Sequence, residues 1–275
     1  MRRALAAFAL ALALGGCSAI RFVYDHADLW LRWQAERYLD LDGAQRAELD
    51  ARVTDFLAWH RAQALPRYAR LAAEAGARIE RGADRDDIVW GYDAVRGQAQ
   101  DGLRQAGAAL GDFLDRLSPA QVDHLAARLE EDNRKYAAEW IAGSPAARRA
   151  RRLKRLEHDL TYWLGGLSDA QRERVRRFND QAPLNAELRD AERRRLEAEL
   201  LAMLRERRSA GALGEWAAHW DHDRDPAFAA ANRATTGLFL DMLADLARGL
   251  SAAQRAHVVA RLRGYARDFQ VLAAK

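Results

Sequence analysis

Apolar residues recur along most of the chain at intervals of three and four, the spacing that lines one face of a helix. No stretch alternates with period two, and Val and Ile are sparse, so strands are not expected. Breaks in the pattern fall at Gly, Pro and short polar clusters. They divide the chain into helices near 20–39, 43–80 with a bend at Pro66, 84–116, 119–142, 146–165, 169–181, 184–208, 212–220, 226–248 and 252–273. Connections are short, so successive helices should pack antiparallel. The pattern predicts an all-α fold, a multi-helix bundle of about ten helices.

One local pattern occurs four times: Leu41-Asp42-Gly43-Ala44-Gln45, Leu117-Ser118-Pro119-Ala120-Gln121, Leu167-Ser168-Asp169-Ala170-Gln171 and Leu250-Ser251-Ala252-Ala253-Gln254. Each has the chemistry of a capping box, in which Ser or Asp accepts from an early backbone N–H and Gln reaches back to the cap's own N–H. The first two boxes stand 76 residues apart and the last two 83. Between the second and fourth boxes the match extends to His124 with His257, Arg128 with Arg261, Leu129 with Leu262 and Asp112 with Asp245. Capping chemistry explains the boxes but not these shared residues. We therefore expect a duplicated helical unit, with an N-terminal half at 17–142 and a C-terminal half at 143–275, joined near Gly143-Ser144-Pro145 and packed as one body.

Composition narrows the class. The chain has 275 residues, 49% hydrophobic and 31% charged, which is globular and long enough for a real core. The formal net charge is +4, and +2 once a leader holding Arg2 and Arg3 is removed. Such a balance argues against a nucleic-acid partner. One cysteine excludes an intramolecular disulfide.

That cysteine lies at the end of a secretory-type leader. Arg2 and Arg3 precede an apolar run over 4–14, which closes in Leu14-Gly15-Gly16-Cys17. The run is too short for a spanning helix, which needs about 20 residues. Leu-Gly-Gly-Cys resembles the lipobox of bacterial lipoproteins, and the resemblance implies a signal peptide over 1–16 and lipidation at Cys17, palmitate included. By analogy with lipoprotein sorting, Ser18 implies the outer membrane rather than the inner one, with the body facing the periplasm. No Gly/Ser/Pro tether follows. Phe22, Tyr24, Trp30 and Trp33 come straight after the anchor, where aromatic residues either sit at lipid headgroups or form a first core helix. The eight tryptophans as a set are expected to be core anchors.

Three clusters carry candidate chemistry. Glu131, Asp132, Asn133, Arg134 and Lys135 lie inside a predicted helix, although Asp and Asn are poor interior residues. With Trp59, His60 and Arg61 they form a candidate polar site, against which stands a satisfied inter-helix network. Arg148, Arg149, Arg151, Arg152, Lys154 and Arg155 form a candidate anion-binding run, in a stretch (148–208) carrying a net +6. Anionic lipid or an acidic envelope protein would suit it; the alternative is a solvated helix face. His219 and His222 are the weak metal candidate, but Asp225 before Pro226 reads more simply as a helix cap, so no metal site is expected. The catalytic signatures Gly-x-Ser-x-Gly and His-Glu-x-x-His are missing, as is a phosphate loop, so neither an enzyme nor a cofactor is expected.

Two resemblances follow from these residues. The lipobox, Trp59-His60-Arg61 with Pro66-Arg67-Tyr68, Glu131 to Lys135, and the arginine run leading to Trp163-Leu164-Gly165 resemble a family of uncharacterised proteobacterial lipoproteins, a domain of unknown function. That resemblance implies no activity. The four boxes are similar to the Leu-Thr-x-x-Gln boxes of Spy-type periplasmic chaperones, with Ser or Asp in place of Thr. The expected function is a lipid-anchored envelope protein with a helical binding or scaffolding role; a membrane-tethered chaperone is the alternative.

Overall fold

The computed structural model describes residues 16–222 and 224–275, with side chains from Ile20 onward. The leader lies outside the described residues, and so does the side chain of Cys17. The chain folds as an all-α multi-helix bundle, with no strand among the described residues. In chain order the helices are α1 Gly16–Asp25, α2 Ala27–Leu39, α3 Gly43–Trp59, α4 Leu65–Arg81, α5 Arg85–Leu114 and α6 Pro119–Tyr136. There follow α7 Pro145–Leu164, α8 Asp169–Gln181, α9 Ala186–Arg205, α10 Ser209–Ala218, α11 Pro226–Arg248 and α12 Ala252–Ala273.

All ten predicted stretches are helical, with three differences. The first stretch breaks at His26, which separates α1 from α2. The stretch through Pro66 is helical throughout but not uniformly α, because a π-helical turn at His60–Ala64 precedes the proline. A proline inside an α-helix removes one hydrogen bond and crowds the preceding turn, and the wider π-turn relieves that conflict. The helix expected near 212–220 starts earlier, at Ser209, for a reason that lies outside its own sequence. Its first N–H groups, on Ser209 and Ala210, donate to the carboxylate of Asp115 at 2.7 and 2.9 Å.

The four boxes form as expected, each with both reciprocal hydrogen bonds. A fifth, Asp84 with Asp87, starts α5 and escaped the sequence pattern because Asp stands where Gln was sought. The boxes also meet in pairs. Gln45 and Gln121 exchange side-chain amide hydrogen bonds, and so do Gln171 and Gln254, at 3.0 and 2.8 Å. His124 and His257 each place Nε2 beside a carbonyl two residues before the end of a helix, Arg37 of α2 and Tyr162 of α7. Arg52 pairs with Asp112, and Arg174 with Asp245. The box glutamines, the two histidines and the two aspartates thus make matching contacts, although the arginines that meet the aspartates stand at different distances from their boxes, and α2, α3, α5 and α6 answer in order to α7, α8, α11 and α12.

Each set of four helices surrounds a core, the first completed by Leu204 of α9 and the second by Ile79 of α4. Leu49, Val53, Phe113, Leu117 and Leu125 fill the first, while Leu164, Val175, Phe178, Met242 and Val258 fill the second. The halves nevertheless interlock: α4 packs along α12, and α10 along α5. The second seam is built from glycine. A Cβ on Gly107 would stand 2.6 Å from the Cα of Gly214, so only glycine permits this backbone approach.

Candidate functional site

The interlocking leaves a cleft of about 1100 Å³ between the α4–α5 hairpin and α11. One face of α5 lines it through Ile88, Gly91, Tyr92, Val95 and Arg96, a run spaced by three and four. Across the cleft α11 presents Phe228, Asn232, Arg233, Thr236 and Phe239, again one helical face. Trp163 from α7 and Trp220 close the ends, and Val258 and Leu262 of α12 contribute to the lining. The lining is mainly apolar, and it is not closed over. Tyr92, Val95, Trp163 and Trp220 are all exposed, from 36% for Trp163 to 61% for Val95.

Positive charge collects on this apolar surface. Arg78, Arg96, Arg189, Arg224 and Arg233 line the cleft, against the carboxylates of Asp87 and Asp221. Both carboxylates are already engaged, Asp87 by Arg78 at 2.5 Å and by Arg81, and Asp221 by Arg96. Among the described residues, Arg189, Arg224 and Arg233 have no ion pair. Arg224 is the most constrained of the three. Its guanidinium lies over the Phe228 ring at 5.1 Å, and its Nε is buried without a hydrogen-bond partner. Burial pulls its pKa down; Glu192 opposes that shift, while the charges of Arg96 and Arg189 add to it. Arg78 covers Trp90 at 4.0 Å, so a guanidinium and an indole form part of one wall.

The residues singled out from sequence lie elsewhere. Asp132 accepts from Tyr38 and pairs with Arg37 and Lys135 (3.4 and 3.2 Å); Lys135 also reaches Glu131. Asn133, almost fully buried, donates to Glu197 at 2.6 Å, and Arg134 stands near Glu130. His60 belongs to a different group: it shares a 2.9 Å hydrogen bond with Tyr24 and packs among Phe56, Trp59 and Tyr68. Arg61 lies over the Tyr24 ring. No hydrogen bond or ion pair among the described residues joins His60 to Asp132 or Asn133. The two parts of the candidate polar site serve separate packing contacts.

The arginine run turns largely inward. Arg149 donates to the carbonyls of Asn179, Asp180 and Ala182, and Arg152 to those of Asn179, Ala182 and Pro183. These are the open carbonyls at the end of α8, where a helix dipole attracts positive charge. Arg148 pairs with Glu187, Arg151 donates to the Ala142 carbonyl, and Arg155 lies over Trp140. Arg151, Lys154 and Arg155 remain exposed, Lys154 without a partner among the described residues. The rings of His219 and His222 meet at a tilt of 49°, with their centres 4.7 Å apart. No group of three or more His, Cys, Asp or Glu side chains among the described residues is arranged to hold a metal ion. Asp223 lies outside them. Asp225 caps α11 through the N–H of Phe228.

The tryptophans need correction. None of the eight is fully buried, and Trp30, Trp33, Trp163 and Trp220 are exposed. The cores are filled instead by Leu, Val, Phe and Met. Exposed large apolar residues concentrate in two places, the cleft and the segment holding Phe22, Val23, Leu29, Trp30 and Trp33. Clustering of this kind marks an interaction surface, whereas scattered exposure does not. The cleft was legible as an apolar stripe at 88, 92, 95 and 99, but nothing in the sequence distinguished it from a core face.

Fold and surface together define an all-helical protein with an open, aromatic and positively charged groove. Its family is shown directly. The chain belongs to a family of unknown function (DUF6279), whose model matches residues 37–215. No curated protein matches the chain, and no solved structure does.

Proposed function

We propose that this protein is a lipid-anchored component of the cell envelope that acts by binding, with its helical body held directly against the bilayer. One observation carries the reading: Phe22, Val23, Leu29, Trp30 and Trp33 are 45–62% exposed on α1 and α2, immediately after Cys17. Left in water, so many half-exposed apolar side chains keep a large hydration cost; at the headgroup level their rings are satisfied on both sides. The segment of α1 and α2 is also fixed to the body. Arg21 binds Asp268 at 2.6 Å, Lys275 binds Asp25 at 2.6 Å, and Tyr24 meets His60. An acyl group on Cys17 would therefore bring the whole bundle to the surface, not a free domain on a leash. No described helix is long and apolar enough to cross a membrane, so attachment rests on the anchor and this patch. The outer membrane, with the body in the periplasm, is the location that Ser18 favours. The chaperone alternative draws no support from the boxes, because their glutamines hold pairs of helices together.

The test is detergent phase separation of the full chain made in a bacterial host, alongside Cys17→Ser and Trp30→Ser/Trp33→Ser. The native chain should enter the detergent phase and Cys17→Ser should leave it. The tryptophan variant should keep its anchor but lose contact with lipid, read as weaker crosslinking of α2 to a photoactivatable phospholipid. A native chain in the aqueous phase, or undiminished crosslinking, would overturn the reading.

A further inference from the structure

We infer that the cleft between α4, α5 and α11 is a binding site for an anionic lipid, whose acyl chain lies among Tyr92, Val95, Trp163 and Phe239 and whose headgroup meets Arg189, Arg224 and Arg233. This inference rests on the reading of the body as a binding one and supplies its ligand; the anchor is a separate matter. Two independent properties of the groove select this class of molecule. Its lining is mainly apolar and open, so water in it contacts exposed rings that an acyl chain would cover, as in ligand clefts generally. The volume of about 1100 Å³ exceeds what a bare phosphate or a metal ion would fill.

Charge then decides which amphiphile. Five arginines face two carboxylates, leaving a net +3 on the wall. Arg78 and Arg96 are held by those carboxylates, whereas Arg189, Arg224 and Arg233 make no ion pair among the described residues, and Arg224 feels Glu192 only from beyond contact distance. The charges of Arg96 and Arg189 repel that of Arg224, and a bound anion removes that cost while gaining charge-assisted hydrogen bonds. The buried Nε of Arg224 has no acceptor among the described residues. A neutral or cationic amphiphile would satisfy the rings and leave the guanidinium groups facing each other. Inorganic phosphate would do the reverse. Only a molecule with both parts meets the whole surface.

Glycine 91 gives a clean probe of the site. It lines the cleft, and a Cβ built there meets nothing within 4 Å, so a side chain would extend into the open groove. Gly91→Leu should block the cleft without disturbing the fold, since leucine is the better helix former. The experiment uses the full chain carrying Cys17→Ser, so that no acyl chain of its own competes. Binding of the fluorescent polyene fatty acid parinarate is followed by its emission and by quenching of tryptophan. Parinarate should bind saturably, its neutral methyl ester at least tenfold more weakly, and lysophosphatidate should displace it while inorganic phosphate does not. Gly91→Leu should weaken binding at least tenfold with an unchanged or higher unfolding temperature. Arg189→Gln/Arg224→Gln should weaken parinarate but leave the methyl ester as it was. Equal affinity for acid and ester, full binding by Gly91→Leu, or displacement by an acidic amphipathic peptide but not by lysophosphatidate would each overturn the inference. Failure here leaves the phase-separation result intact, so the two readings fall separately.

Discussion

Arg21 reaches across 247 residues to Asp268 with a 2.6 Å hydrogen bond, which ties α1 to α12. The carboxylate is completely buried, and its second oxygen has no partner. Arg21→Ala would strand that charge. Breaking a buried pair costs about 3–5 kcal/mol, and because Arg21 is more than a third exposed we expect about 2 kcal/mol here. Asp268→Asn should cost less, since it removes the charge along with the salt bridge. Urea unfolding midpoints of the two variants check this, and an unchanged midpoint for Arg21→Ala would mean that the pair does not hold the N-terminal helix.

The glycine seam between α5 and α10 gives a prediction of opposite sign at neighbouring positions. Gly107→Ala drives a methyl group into the backbone of Gly214 and should destabilise by about 2–3 kcal/mol, more than any gain in helix propensity. Gly97 and Gly102 lie on the same helix with open space at the Cβ position. Alanine there should stabilise by about 0.5–1 kcal/mol. Thermal unfolding of the three single variants separates the two cases.

The contact between Tyr24 and His60 predicts a pH dependence at both ends of the scale. Burial, and then the charge of Arg61, lower the pKa of His60 below 6.5. The unfolded chain therefore takes up this proton first, so the stability that the neutral ring contributes above pH 6.5 is lost as the pH falls from there through the folded value. Burial raises Tyr24 to about 12. Its contribution is complete below pH 10 and is lost as the pH rises from 10 through 12, because the unfolded phenol ionises first. His60→Gln should flatten the acid-side slope of denaturant stability, and Tyr24→Phe the alkaline one. NMR titration of the His60 ring should give a midpoint below 6.5; one at or above that value would refute the assignment.

Local chemistry made most of the secondary structure readable. Ser118, Ser168, Ser251 and Asp42 cap helices with atoms three residues away, so a short window of sequence contains the whole interaction. The repeated contacts were readable for a related reason: residues such as Asp112 and Asp245 keep their distance from a box, and the structure gives both an arginine partner. The arginine run shows the limit. Its composition signals positive charge, but whether that charge faces solvent depends on α8, whose carbonyls Arg149 and Arg152 meet about thirty residues along the chain.

The sequence by itself determined that this protein is helical and where nearly all its helices begin, because caps and hydrophobic periodicity act over a few residues. Tertiary structure alone decided which apolar faces were buried. Val95 and Val175 both occupy apolar helical faces, yet one lines an open cleft and the other has no exposed surface. The difference lies in what packs opposite, and a partner brought close by the fold leaves no mark in the local sequence. The same holds for α10, whose first N–H groups are capped by Asp115 from 94 residues away.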